Sequence, residues 1–198
     1  MPNPNHPPKN SVIRVEPIRD LKAIKRIKKL LEGSPRDLAI FVIGCNTNLR
    51  SSSLTALTVG MVKNVPLGGS FTIRETKTNK LRTITVNKVV HEAISGLLKH
   101  LGEDAKNDDL LFQSRKGKGR LTTPTMNALV KGWCASVGLQ GNYGSHSLRK
   151  TFGWVHRTQF NTDLPTLCHM FNHSTQRQTL GYLGIEEREV VDAYLREI

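Results

Sequence analysis

His146-Ser147-Leu148-Arg149 is the stretch on which the reading turns. It begins a segment, residues 146–160, that reads as a helix. At positions i and i+3 the imidazole and the guanidinium lie on one face, a turn apart. A planar guanidinium can fork two phosphate oxygens, and an imidazole beside it can accept or give a proton. The tetrapeptide alone also arises by chance, so the surrounding sequence decides.

Downstream lie Phe171-Asn172-His173-Ser174-Thr175 and Gln178-Thr179-Leu180-Gly181-Tyr182-Leu183-Gly184. Helical segments are expected at 164–171, 175–182 and 186–196. Upstream, Val89 to Leu101 carries Val90, Ile94, Leu97, Leu98 and Leu101 on one helical face, and Thr123-Pro124 opens a further helix. The β-branched stretches 71–76 and 81–86 predict two strands, with a turn at Lys77-Thr78-Asn79-Lys80. Before them come Asn48-Leu49-Arg50 and a short helix at Ser51-Ser52-Ser53-Leu54. The segment 20–32 reads as an amphipathic helix. A second helix starts at Ser34 as N-cap, with Pro35 at its first position and Asp37 as capping partner. Leu38 to Cys45 is apolar nearly all round, so that helix should be central. The sum is an α+β fold: a helix-rich domain with one small antiparallel β-sheet.

Composition narrows the function. The 198 residues hold 29 Lys plus Arg against 16 Asp plus Glu, a formal net charge of +13, which favours a polyanionic partner. Hydrophobic residues at 37% exclude a disordered composition. The longest apolar run, Leu38 to Cys45, is far short of the roughly 20 residues that span a bilayer. Three scattered cysteines, Cys45, Cys134 and Cys168, exclude a disulfide scaffold and suit a reducing compartment. With no export signal read at the N-terminus, a cytoplasmic, nucleoid-associated protein is expected.

In order, spacing and context, the motifs of residues 18–185 resemble the tyrosine recombinase (phage integrase) family. The resemblance implies the catalytic domain of that family, here between an N-terminal arm (1–17) and a C-terminal helix (186–198) exchanged between protomers. It implies that Arg50 and Arg149 clamp a scissile phosphate and that Lys77 protonates the leaving 5′-oxygen. It also implies that His146 helps deprotonate the nucleophile, that His173 hydrogen-bonds the phosphate, and that Tyr182 attacks to form a 3′-phosphotyrosyl link. The chemistry suits those types: a phenol with a pKa near 10 needs help to lose its proton, and fixed cations can neutralise charge building on phosphoryl oxygens.

No metal or other cofactor is implied. The implied partners are double-stranded DNA, three further copies of the chain in a tetramer, and an accessory DNA-bending protein. Lys80, Arg82, Arg115, Lys116, Lys118, Arg120 and Lys150 are expected to contact DNA. Several alternatives stay open. Lys80, Lys63 and Lys88 compete with Lys77, and Tyr194 with Tyr182, although a packing role in a C-terminal helix suits Tyr194 better. His169 and His173, four apart, could suggest a metal pair, but no H-E-x-x-H pattern accompanies them. A DNA-binding relative that no longer cuts is the alternative function. Three departures from the family pattern stand out: Ser53 where an acidic residue is usual, Lys150 where His is common, and Phe171-Asn172 for Leu-Gly. Asn suits a left-handed helix end as Gly does.

Overall fold

The computed structural model describes residues 15–75, 79–117, 119–185 and 187–197. Helix α1 (Leu21–Leu30) begins at Asp20, whose carboxylate accepts the Lys22 N–H at 2.7 Å. It buries Ala23 and Ile27, while Leu21 and Leu30 stay exposed at its ends. Helix α2 (Pro35–Thr47) is the central element that its apolar run predicts, with Ala39, Ile40, Phe41, Val42 and Ile43 all buried. Ser34 is its N-cap, but no side-chain capping bond forms there. Asp37 is not a capping partner either. Arg36 binds its Oδ1 at 2.6 Å and Arg115 its Oδ2 at 3.1 Å, because a nearly buried carboxylate is best stabilised by guanidinium donors.

Two one-turn helices follow, α3 (Ser51–Leu54) and α4 (Val59–Val62), the second unforeseen from the sequence. Strands β1 (Ser70–Arg74) and β2 (Leu81–Thr85) form an antiparallel pair with Phe71 opposite Ile84 and Ile73 opposite Arg82. The expected turn residues Lys77 and Thr78 lie outside the described residues. Helix α5 (Lys88–Leu101) is capped by Asn87, which accepts the Val90 N–H, and α6 (Thr123–Ser136) by Thr122. Between them Leu111 and Phe112 are fully buried, as expected of that short apolar segment. Helices α7 (Ser145–Thr158), α8 (Leu164–Phe171), α9 (Gln176–Leu183) and α10 (Glu187–Tyr194) complete the chain order.

Helix α2 packs on α5 and on α7. Gly44 makes the second contact possible, since a Cβ there would fall 2.6 Å from Leu148 Cδ1. A smaller cluster of Phe152, Leu167, Phe171 and Leu183 joins α7, α8 and α9. Gly153 lets α7 approach it, because a Cβ there would meet the Phe171 ring at 2.9 Å. That cluster carries α9 and so sets the position of Tyr182. Burial pushes the Cys45 and Cys134 thiols up to about 12, so both pack as small apolar groups. Tyr194 is 85% exposed and takes no part in the core.

Candidate active site

The site is assembled where two helices end. Helix α2 stops at Asn48 and α8 at Asn172, both left-handed, with φ of 55° and 52°. The Asn172 conformation is the one expected of Asn in place of Gly. Helix carboxyl ends carry partial negative charge and unpaired carbonyls. Here guanidiniums take them up. Arg82 donates to Thr47 O at 3.0 Å, Asn48 O at 2.9 Å and Met170 O at 2.8 Å. Arg149 also donates to Asn48 O, and to Phe171 O at 2.9 Å. Two helix ends and two cations thus lock together beneath the cleft.

Arg149 rises from the first half of α7 and is 1% exposed. Its Nη2 lies 3.3 Å from His173 Nε2. Its Nε is buried with no partner among the described residues, so the fork keeps donor capacity in reserve. Burial first, then the charges of Arg82 and Arg50, pull its pKa below the ordinary arginine value. Three guanidiniums, those of Arg50, Arg82 and Arg149, thus lie close enough to repel one another.

Thr179, fully buried on α9, donates its hydroxyl to Cys168 Sγ at 3.1 Å and so accepts from His173 Nδ1 at 3.0 Å. That places the His173 proton on Nδ1 and leaves Nε2 an acceptor facing Arg149. Burial and the charges of Arg149, Arg50 and Arg82 lower the His173 pKa from 6.5 to about 4. Between these values an unfolded chain binds a proton that the folded chain refuses. Folding stability is then fully present above pH 6.5 and falls as pH drops toward 4. Urea denaturation across that range should show this loss for the wild type and a shallower one for His173→Gln.

Arg50, at the N-cap of α3, Lys80, His173, Gln178 and Tyr182 line one cleft of about 360 Å³. The Tyr182 ring lies 5.3 Å from the His173 ring and 5.4 Å from the Arg149 guanidinium carbon. Four of the six residues singled out in the sequence are thus neighbours within one chain. His146 stands exposed in the first turn of α7, one turn before Arg149. Lys77 and Lys118 lie outside the described residues.

The expected DNA contacts divide. Lys80 is on the cleft wall and Lys116 is exposed. Lys150 is half-buried. Arg82, also expected at DNA, turns inward: it is 8% exposed, and its guanidinium donates to three carbonyls and to Glu75. Arg115 is drawn to Asp37, and Arg120 to Ser52 O and Thr55 Oγ1, while both stay exposed. Glu75 was missed in the sequence. It is fully buried and bound by Arg50 and by Arg82. Strand alternation carried the signal: Phe71 and Ile73 face inward, and residue 75 is the next on that side.

A tyrosine on the wall of an arginine-rich cleft, in a helix-rich domain with one β-hairpin, has the architecture of a tyrosine recombinase catalytic domain. The chain belongs to that group: the phage integrase family model matches residues 16–188. It is 33% identical over 181 residues to the probable integrase/recombinase YoeC of Bacillus subtilis (strain 168), covering 91% of this chain and 95% of that one. It is 30% identical to tyrosine recombinase XerC of Caldanaerobacter subterraneus subsp. tengcongensis, covering 87% of this chain and 48% of the relative, about half its length. Among solved structures, XerA recombinase superposes with a TM-score of 0.74 at 19% identity, covering 93% of this chain and 67% of that one. Among the described residues, no helix is long and apolar enough to cross a membrane.

Proposed function

We propose that this chain cuts and rejoins double-stranded DNA at specific sites through a 3′-phosphotyrosyl intermediate. The observation that carries the reading is Arg149, a buried guanidinium whose Nε–H has no partner among the described residues, next to Tyr182 and close to the guanidiniums of Arg50 and Arg82. A scissile phosphate brings negative charge to this group of guanidiniums. Arg50 and Arg149 hold its non-bridging oxygens, and charge that builds on them during attack is met by cations already in place.

The Tyr182 oxygen forms a bond to phosphorus as the bond to the 5′-oxygen breaks. The phenolic proton passes to His146, and Lys77 gives a proton to the leaving oxygen. Nε2 of His173 must gain a proton to donate to the phosphate. An arriving anion favours that gain by offsetting the three arginine charges that, after burial, hold the imidazole neutral. The tyrosyl ester conserves the phosphodiester bond energy, so a second strand's 5′-hydroxyl can reverse the step.

Helix α10 suits docking on a neighbouring protomer in a tetramer. Val190, Val191, Tyr194 and Leu195 form an exposed apolar stripe, while Arg157 anchors the helix start through both oxygens of Glu189, at 2.5 and 2.9 Å. The decisive assay uses a nicked suicide duplex bearing the target site, with EDTA present. A covalent protein–DNA adduct is expected. Its absence, with DNA still bound, would favour a recombinase relative that only holds DNA.

A further inference from the structure

Glu75 is an unusual occupant of its position. The inward face of β1 reads Phe71, Ile73, and then, one residue past the strand, a carboxylate with no exposed surface. A buried charge persists only when it is paired. One oxygen, Oε1, is 3.3 Å from Arg82 Nη1. That guanidinium is itself immobilised by the carbonyls of Thr47, Asn48 and Met170. The other oxygen, Oε2, takes Nη1 of Arg50. Glu75 therefore connects a fixed cation to a cation at the cleft.

Arg50 needs such a connection. It sits before a one-turn helix on a long, flexible side chain, close to two like charges that repel it. Ser53, one turn on, offers no charge, and its hydroxyl is buried with no partner among the described residues. The carboxylate that answers Arg50 comes instead from the β-hairpin, two residues before Lys77 in sequence.

We propose that Glu75 is a positioning residue that holds the Arg50 guanidinium at the cleft and ties the base of the hairpin to it. This rests on the cleft being the DNA-cleaving site. Single-turnover adduct formation at saturating suicide duplex tests it, with DNA affinity measured in parallel. Glu75→Gln should slow the adduct about 100-fold while affinity changes less than about threefold. Glu75→Asp, which keeps the charge, should be the faster of the two. A packing role orders them the other way, since Gln is isosteric with Glu and Asp is a methylene short. E75Q within about threefold of wild type, or slower E75D than E75Q, overturns the proposal. Nitrogen-15 NMR of the wild-type arginine side chains reads the same contact without a substitution. Restricted motion of the Arg50 guanidinium is expected, and a freely reorienting one overturns the proposal even if E75Q does not fold. Should the wild type form no adduct, the reading of the site fails, while the NMR result still decides the role of Glu75.

Discussion

Tyr182→Phe should bind the target duplex as wild type does and form no covalent adduct with it, a rate loss on the order of 10⁴-fold or more. The substitution removes a single oxygen. The ring contacts with Phe171, His173 and Arg149 persist, and Leu183 still anchors α9 in the small core cluster. Stability should therefore change little, within about 0.5 kcal/mol. Denaturant unfolding and adduct trapping on one preparation check both halves. Adduct formation by the variant would move the nucleophile elsewhere, with Tyr194 the next phenol to test.

Arg149→Lys should fail on both counts. An ammonium is a point charge and cannot reproduce a fork that serves Asn48 O, Phe171 O and His173 at once. Adduct formation should fall by about 10³-fold, as when a donor to a developing charge is removed. The carbonyls at two helix ends also lose a donor, and each buried group left unpaired costs about 1–3 kcal/mol. A stability loss of about 2–4 kcal/mol is expected in the free protein, measured by urea unfolding without DNA. Full stability with lost activity would mean that the helix ends do not depend on this residue.

The contrast between these two variants shows what the sequence could and could not reveal. Helices were legible wherever apolar spacing was long and regular, as in α2 and α5, and the hairpin was legible from its β-branched alternation. Arg50, Arg149, His173 and Tyr182 were legible as a set because their order and local context are carried by short motifs. The inward position of Arg82 was not anticipated because a basic residue beside a turn suggests solvent and DNA. Its parity with Ile84 and its place opposite Ile73 put it inside. Glu75 escaped for the same reason: a charged residue at a strand end was not followed one step along the inward face. Ion pairs that span 25 residues, as Arg50–Glu75 does, leave no periodic trace in a chain. The loop at 115–120 read as a DNA contact, and its ties to the fold were not legible because the carbonyl and carboxylate that bind Arg120 and Arg115 are 68 and 78 residues away.

The meeting of two helix ends on Arg82 and Arg149 makes part of the proposed reacting centre a keystone of the architecture. A lineage drifting toward a protein that holds DNA without cutting it could not easily discard Arg149, since the same change would loosen the folded chain. It would shed Tyr182 or the exposed His146 first. Descendants that have lost the chemistry should therefore still carry the buried arginines, as remnants kept for the sake of the fold.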